Sequence, residues 1–408
     1  MPETLLFRKG LDLGDAVAGA LAQDYHSTLI ERIREANFVH SAGRLTVHLA
    51  KEFGFCYGVD RAVDYAYQTR HRFPDRDVFL TGEIIHNPHV NDKLRAAGIR
   101  FLTDPGERWD ALGPRDVVIV PAFGLPVDQA KQLTAQGCVT VDTTCGSVLN
   151  VWKNVTRYSR DGFTAIIHGK VHHEETHATA SQALTFPGGQ YLIVLDCHEA
   201  REVCAFIRSG AGGDALLERF GDAVSPGFDP ARDLVRIGLA NQTTMLMSES
   251  LEVEELFRRA MRDRYGHEAL ADHFRAFDTI CSATQDRQDA VVQLLDEQHL
   301  DLMLVIGGYN SSNTKNLARI CGARLPSYHI AEEHCLLSPD EIVHRPNEPM
   351  APAAGSASST DVVATSGWLP SGPVAVGLTA GASTPDTIVG RTIERLTQLT
   401  SPIGAPSV

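Results

Sequence analysis

Three cysteines of this chain stand in similar sequence settings. Cys56 lies in the run FGFCYGVD, Cys145 in DTTCGS and Cys281 in DTICSA. Each follows a short apolar or Thr-rich run typical of a strand, and each opens a segment with helical periodicity. A helix N-terminus carries partial positive charge, which favours a thiolate over a thiol. Three such thiolates predict three modules that meet at one soft metal centre, and three protein ligands leave one position of that centre open for chemistry.

The other five cysteines have apolar or unremarkable neighbours. The first 40 residues lack the basic start and apolar core of a secretory signal, so a disulfide framework is not expected. We expect these residues to be small, buried hydrophobic side chains. They are Cys138, Cys197, Cys204, Cys321 and Cys335.

Polar residues are crowded directly after the predicted strands, where the ligand of an α/β protein lies. These loops combine His, Ser, Thr and Asn with Gly, which provides short donors and lets backbone N–H groups approach a ligand closely. They favour a phosphate or diphosphate held by neutral donors and imidazolium, although each loop alone could be an ordinary helix cap or turn. The loops are EIIHNPH at 83–89, PAFG at 121–124, HGKVHHEET at 168–176, NQTT at 241–244, GGYNSSNT at 307–314 and TAGAST at 379–384. No Walker or dinucleotide glycine motif follows a strand.

Residues 173–177 have the sequence His-Glu-Glu-Thr-His, which matches the His-Glu-x-x-His pattern of zinc hydrolases. The pattern directly follows a predicted strand, so His173 should lie in a loop or a first helical turn, and no third ligand is obvious downstream. Zinc hydrolysis is therefore disfavoured. Glu175 is the better candidate for proton transfer, the alternative being a solvated glutamate that the helix dipole stabilises.

The elements that must position these residues alternate between strands and helices from Leu45 onward. The alternation predicts an α/β protein with mostly parallel sheets. Helices are predicted at 248–264 and 285–298, and one amphipathic helix is predicted near residues 25–33. The predicted strands are 78–80, 117–120, 139–142, 164–167, 191–195, 235–240, 302–306 and 374–378.

The three cysteine motifs divide the chain into segments. We predict an N-terminal extension over 1–46, a first αβα unit over 47–145, a second over 146–280 and a third over 281–400. A stretch rich in Pro, Ala, Ser and Gly predicts a mobile insertion at about 345–373.

Net charge and hydropathy argue against two classes of partner, nucleic acids and membranes. The 408 residues carry a formal net charge of −14 and no basic stripe, so no nucleic-acid partner is expected. No apolar run approaches the length that spans a bilayer, so no membrane association is expected either. With no targeting segment apparent, we expect a cytoplasmic location.

Taken in order from about Leu45 to about Leu399, these motifs resemble those of the 4-hydroxy-3-methylbut-2-enyl diphosphate reductases, the last enzymes of the non-mevalonate isoprenoid pathway. The resemblance implies three αβα units in a pseudo-threefold arrangement around a central [4Fe–4S] cluster. It further implies that Cys56, Cys145 and Cys281 hold three irons and that the fourth iron faces the substrate.

The resemblance also implies roles for the polar loops. Glu175 would be the proton donor, and Thr243 would orient the substrate hydroxyl. The common bacterial pattern has a histidine where this chain has Phe123, and the plant and cyanobacterial branch resembles the chain there, so the pocket should hold one histidine fewer. The implied diphosphate ligands are His86, His173, Ser311, Ser312, Asn313 and Ser383.

The implied reaction is the reductive dehydroxylation of (E)-4-hydroxy-3-methylbut-2-enyl diphosphate to isopentenyl and dimethylallyl diphosphate by an iron–sulfur oxidoreductase. A ferredoxin or flavodoxin is implied as the electron donor. A non-redox iron–sulfur hydro-lyase would fit the three cysteines equally well. A Cys3His zinc site in a structural or binding protein is a further alternative, although structural zinc ligands normally come in close pairs.

Overall fold

The computed structural model describes residues 6–277, 279–347 and 362–401. Asp278 and residues 348–361, the middle of the predicted insertion, lie outside the described residues. The chain divides into two compact units. Unit 1 contains Met1–Lys9, Phe73–Ile84 and Ile99–Cys281, and unit 2 contains Gly10–Arg72, Ile85–Gly98 and Ser282–Val408.

Short apolar runs form the strands, and longer amphipathic runs form the helices. The strands are β1 (Leu6–Phe7), β2 (Val39–Ala42), β3 (Leu45–Leu49), β4 (Val78–Leu80), β5 (Ile99–Phe101), β6 (Val117–Val120), β7 (Val139–Asp142), β8 (Thr164–His168), β9 (Tyr191–Val194), β10 (Ile237–Asn241), β11 (Phe274–Ala276), β12 (Leu302–Ile306), β13 (Ser327–Ile330), β14 (Glu341–His344), β15 (Val363–Ser366) and β16 (Val374–Ala380). The α-helices are α1 (Gly14–Tyr25), α2 (Thr28–Glu35), α3 (Tyr57–Arg72), α4 (Pro88–Ala96), α5 (Val127–Gln136), α6 (Gly146–Arg160), α7 (Glu174–Ala183), α8 (Cys197–Ser209), α9 (Gly213–Phe220), α10 (Pro230–Asp233), α11 (Met247–Tyr265), α12 (Leu270–His273), α13 (Ser282–Glu297), α14 (Ser312–Gly322) and α15 (Asp386–Thr400). Short 3₁₀ helices occupy Trp109–Ala111, Gly221–Ala223 and Glu333–Cys335.

Unit 1 contains two parallel sheets. The first has the strand order β1-β7-β6-β4-β5, and the second has the order β11-β10-β8-β9. Every residue of β6 and of β8 is buried, as expected for parallel strands that are covered on both faces. Phe79, Val118 and Leu133 belong to the core of the first sheet, and Tyr158 and Phe257 belong to that of the second.

Unit 2 contains one mixed sheet with the order β13-β12-β16-β3-β2, in which only the β2–β3 pair is antiparallel. The strand β3, whose sequence lies largely in the segment predicted as the first unit, pairs with β16 far along the chain. Leu45, Val47 and Leu49 of β3 are buried in the same core as Val376 and Leu378 of β16. Apolar side chains from both ends of the described sequence therefore build one core.

An antiparallel ribbon of β14 and β15 also belongs to unit 2. The strand β15 lies within the predicted insertion, after its undescribed middle. Arg345 at the start of the insertion is buried and donates to the carbonyl oxygen of Tyr309 at 2.6 Å. The residue that directly follows β14 therefore supports the loop after β12.

The prediction of an α/β protein with mostly parallel sheets is confirmed, and all the predicted strands are present with small differences at their ends. The prediction of one amphipathic helix near residues 25–33 is confirmed in part, because α2 contains Leu29, Ile30 and Ile33, whereas Tyr25 ends the separate helix α1. His26 is extended, and the Ser27 hydroxyl accepts a hydrogen bond from the Ile30 N–H, which starts a new helix. Among the described residues, no helix is both long and apolar enough to cross a membrane.

Candidate active site

Two of the predicted metal ligands, Cys145 and Cys281, lie in unit 1. Cys145 is the N-cap of α6, and its N–H donates to the carbonyl oxygen of Ala122 at 3.0 Å. Cys281 directly precedes α13, and its N–H donates to the carbonyl oxygen of Thr243 at 3.2 Å. The Ser147 hydroxyl, in the first turn of α6, donates to Cys281 Sγ at 3.3 Å. The helix start that carries Cys145 is therefore a neighbour of the Cys281 thiol.

Threonines of the two Asp-Thr-x-Cys runs hold these cysteine loops in place. The Thr143 hydroxyl donates to the carbonyl oxygen of Val120 at 2.6 Å, and the Asn241 N–H donates to the buried Thr279 hydroxyl at 2.7 Å. Asp142 accepts from both the N–H and the hydroxyl of Thr144. The Thr residues of the repeated run thus anchor each loop to the end of a neighbouring strand.

The eight cysteines form no disulfide, and seven of them fall into two groups. Cys56, Cys145 and Cys281 are partly exposed and directly precede helices. Burial raises the pKa of Cys197, Cys204 and Cys321 to about 12 and also raises that of Cys138, so these four are thiols at neutral pH. Cys138, Cys204 and Cys321 are buried as predicted, whereas Cys197 and Cys335 are only partly buried.

Glu175 forms a buried two-point contact with Thr243 in unit 1. It lies in the first turn of α7 and is only 1% exposed, so the alternative of a solvated glutamate is wrong. Its Oε1 accepts from the Thr243 N–H at 2.6 Å, and its Oε2 accepts from the Thr243 hydroxyl at 3.0 Å. Because the Thr243 carbonyl accepts from Cys281, the carboxylate is linked to the cysteine loop through one residue.

His173 is oriented by the same helix start. It is the N-cap of α7, and its Nδ1 accepts from the Glu175 N–H at 3.2 Å. The neutral imidazole therefore carries its proton on Nε2, which can donate to a ligand. The Phe123 ring contacts the imidazole edge-on, with 5.5 Å between the ring centroids. Phe123 thus packs against the imidazole and offers no polar group of its own.

The zinc-hydrolase pattern is not supported by this geometry. His173 is a buried cap outside the helix, whereas His177 is exposed within it. The nearby His168 is a structural histidine, since its Nδ1 lies 2.9 Å from the Ser250 hydroxyl and burial lowers its pKa to about 4. It stays neutral at physiological pH and contributes no charge to an anion site.

Gln242 is a supporting residue that sequence reasoning did not single out. Its Oε1 accepts from the Lys170 N–H at 3.0 Å and lies 3.2 Å from the Thr176 hydroxyl. It therefore ties the loop that leads into α7, the helix of Glu175, to the loop after β10, which carries Thr243. There was also no separate reason in the sequence to select Ser147. Gln242 lies in the NQTT motif and Ser147 in the DTTCGS motif, and this position was the signal that could have identified them.

Cys56 lies in unit 2, in a loop that contacts the loop after β16. The Gly54 N–H donates to the carbonyl oxygen of Ala380 at 3.3 Å, and the Cys56 N–H donates to that of Ala382 at 3.2 Å. Gly54 has a φ of +76°, which favours glycine at this turn. The backbone of Cys56 is therefore hydrogen-bonded to Ala382, the residue that directly precedes Ser383.

His86 and Ser383 are joined by reciprocal contacts in unit 2. The Ser383 hydroxyl donates to the His86 carbonyl oxygen at 3.2 Å, and Asn87 Nδ2 donates to the Ser383 carbonyl oxygen at 2.8 Å. Asn313 Oδ1 accepts from the Ala382 N–H at 3.0 Å. These contacts bring together the loops after β4, β12 and β16.

The start of α14 combines a helix cap with a buried side-chain amide. Ser311 is the N-cap, and its hydroxyl accepts from the Thr314 N–H at 3.3 Å. Ser312 and Asn313 follow in the first turn and are buried. Among the described residues, no group accepts a hydrogen bond from Asn313 Nδ2. Because buried donors are normally paired, this amide and the N–H groups of the helix start are suited to an anion.

Replacement of Gly308 by Ala should disturb this part of the site. An added Cβ would lie 2.3 Å from the His86 carbonyl oxygen, so the backbone of one loop must move. We expect a loss of about 1–3 kcal/mol of stability from overpacking. We also expect kcat/KM to fall by roughly tenfold or more, since a shift of about 1 Å can cost about 100-fold. Thermal unfolding and steady-state kinetics measure both effects.

Gly19→Ala is the matched control, because no atom lies within 4 Å of its added Cβ and it occupies the middle of α1. That change should stabilise the helix by about 0.5–1 kcal/mol. A Gly308→Ala variant with wild-type stability and kinetics would show that the two loops do not depend on this close approach.

Known proteins share both the sequence and the fold of this chain. Residues 47–397 match the family model described as LytB protein. The chain is 49% identical over 400 residues to the 4-hydroxy-3-methylbut-2-enyl diphosphate reductase of Gloeobacter violaceus, covering 96% of this chain and 92% of the relative. It is 45% identical over 397 residues to the reductase of the same name from Thermosynechococcus vestitus, covering 97% and 94%.

A solved structure supports the fold. The E-1-hydroxy-2-methyl-but-2-enyl-4-diphosphate reductase from Plasmodium falciparum matches 88% of each chain with a TM-score of 0.59 and 20% sequence identity. The sequence matches confirm the family that the motifs indicated, and they extend over nearly the whole chain. This protein therefore belongs to the LytB protein family.

Proposed function

We propose that this protein catalyses the reductive dehydroxylation of (E)-4-hydroxy-3-methylbut-2-enyl diphosphate to isopentenyl and dimethylallyl diphosphate. Its curated relatives are named for the reductase that acts on this substrate. The observation that carries the proposal is the buried contact of Glu175 with Thr243, whose carbonyl accepts from the N–H of Cys281. An acid for the leaving hydroxyl thus lies beside a residue suited to bind a redox metal.

A [4Fe–4S] cluster suits the donor set. We propose Cys56, Cys145 and Cys281 as its ligands, because they are the cysteines that directly precede helices at the ends of motif loops and are partly exposed. When bound, such a cluster supplies electrons and a Lewis acid for the substrate oxygen. We further propose that the protein forms three αβα units in a pseudo-threefold arrangement around the cluster. Each of the three larger sheets would belong to one unit.

Glu175 and Thr243 would deliver the proton that the leaving oxygen needs. With Glu175 ionised, the Thr243 hydroxyl donates to it, so the threonine oxygen is free to accept a hydrogen bond from the substrate hydroxyl. With Glu175 protonated, the direction reverses, and Thr243 can pass a proton to the leaving oxygen while it receives one from Glu175. General acid catalysis of this kind typically contributes about 10²–10⁴-fold.

The diphosphate would be held by donors rather than by lysine or arginine. Asn313 Nδ2 is a buried donor that has no acceptor among the described residues, and the Nε2 proton of His173 is oriented by the contact at Nδ1. Binding energy from this unreactive part of the substrate would position the reacting hydroxyl. The proposed diphosphate ligands are His86, His173, Ser311, Ser312, Asn313 and Ser383.

The electrons would come from a one-electron carrier, and we propose a ferredoxin or flavodoxin for this role. Protein purified under argon should be brown, contain iron and sulfide, and convert the diphosphate substrate only when a reduced one-electron donor is present. Turnover without any reductant would favour a hydro-lyase instead. Zinc in place of iron and sulfide would contradict the proposal.

A further inference from the structure

Arg287 is a buried cation that has no acidic partner among the described residues. It lies on α13 with only 4% of its surface exposed. Its guanidinium donates to the carbonyl oxygen of Gly54 from Nη2 at 2.7 Å and from Nε at 3.3 Å. It also donates from Nη1 to the carbonyl oxygen of Ala283 at 2.7 Å. Within the described part of the chain, no carboxylate lies within ion-pair distance of this group.

A cation in this position is energetically unusual. Arginine stays protonated in proteins, and a buried charge is costly unless an opposite charge compensates it. Other arginines of unit 2 have such partners, since Arg34 pairs with Asp386 at 2.6 Å and Arg324 pairs with Asp296, both near the surface. Carbonyl dipoles satisfy the hydrogen bonds of Arg287 but leave its net charge uncompensated.

The two carbonyls identify where the missing negative charge should lie. Gly54 precedes Cys56 by two residues, and Ala283 follows Cys281 by two residues. The guanidinium therefore joins the segments that flank two of the proposed thiolate ligands. A cluster bound by three thiolates brings negative charge to these segments, and its one-electron reduction adds one more.

We propose that Arg287 is the internal counter-cation of the iron–sulfur cluster, an assignment that rests on the proposed function. Its fixed charge stabilises the bound cluster and makes the addition of an electron more favourable. It is a positioning and tuning residue, because it touches backbone rather than substrate. It is distinct from the six proposed diphosphate ligands, the three proposed cluster cysteines and the Glu175–Thr243 pair.

The first test is the reduction potential of the loaded protein, followed by electron paramagnetic resonance during a redox titration. Arg287→Gln should lower the potential, so that at fixed ambient potential the ratio of reduced to oxidised cluster falls by about tenfold, equivalent to about 59 mV for one electron. Arg287→Lys keeps the charge and should stay close to the wild type. Arg324→Gln, which removes an exposed cation, is the control. An unchanged potential in Arg287→Gln overturns the proposal.

The second test separates charge compensation from a purely structural role. The gain in Tm between the cluster-free and cluster-loaded protein should be smaller in Arg287→Gln than in the wild type, because a ligand stabilises the state that binds it best. Loss of structural hydrogen bonds alone would lower both Tm values equally and leave the gain unchanged, which would contradict the proposal.

If Arg287→Gln does not fold, Arg287→Lys carries the test. Lysine keeps the charge but cannot bridge the carbonyls of Gly54 and Ala283 in the same way. Its cluster-free Tm should fall while its reduction potential stays near the wild-type value, and a potential that shifts with the lost hydrogen bonds overturns the charge assignment. A wild-type chain that takes up neither iron nor sulfide would refute the proposed function itself, whereas a loaded chain insensitive to Arg287 refutes only this inference.

Discussion

Replacement of Glu175 by Gln should lower kcat by at least about 100-fold while the iron and sulfide content and the affinity for the substrate stay close to the wild type. Glutamine has the size of glutamate and can still accept from the Thr243 N–H, so the loop should keep its place. It cannot donate an acidic proton to the Thr243 hydroxyl. The measurement combines anaerobic kinetics with metal analysis and substrate binding.

Two comparisons make this prediction sharper. Glu252→Gln, which changes an exposed glutamate paired with Arg201, should leave kcat unchanged. Thr243→Val should also lower kcat, and the double variant should be little worse than Glu175→Gln alone, because residues that act as one unit are not additive. Full turnover in Glu175→Gln would show that another group protonates the leaving oxygen.

Replacement of Cys281 by Ser should remove the cluster and with it the activity. The cluster needs soft thiolate ligands, and a serine hydroxyl is a poor substitute. The Ser147 hydroxyl, which now donates to Cys281 Sγ, can still contact the smaller oxygen, so the fold should survive. Iron and sulfide analysis, visible absorption and turnover under argon measure the effect.

Cys197→Ser is the matched control for that change. Cys197 is also partly buried and begins a helix, but burial raises its pKa to about 12. The control should keep its iron, its sulfide and its activity. A Cys281→Ser protein with the same iron content as this control would exclude Cys281 as a ligand. Because Glu175→Gln should keep the cluster and Cys281→Ser should lose it, the two variants separate acid catalysis from cofactor binding.

Several parts of the fold could be predicted because they depend on local sequence. The strand β6 is a continuous apolar run with helical segments on both sides, which is typical of a parallel strand covered on two faces. The break between α1 and α2 was missed, because the apolar spacing continues through it. There, a single capping hydroxyl at Ser27 decides where the second helix begins.

The pairing of β3 with β16 could not be predicted from local sequence. Parallel strands need a crossover connection of about a dozen residues or more, with no set upper length, so the partner of Leu45–Leu49 is decided by which apolar surface remains to be covered. Chain order suggested that β3 belongs with the strands that follow it. The core that buries Val47 together with Val376 places it instead beside the last strand.

The amino-acid sequence by itself determined the family, the alternation of strands and helices, and the short motifs whose side chains could bind a metal or a diphosphate. Only the tertiary structure decided that Glu175 is buried against Thr243, that Ser147 reaches Cys281, and that the cation of Arg287 lies inside the protein. Propensity and periodicity act over a few neighbouring residues. The hydrogen bonds of the site join residues 68, 134 and 233 positions apart, so they exist only after distant elements have packed to within a few tenths of an ångström.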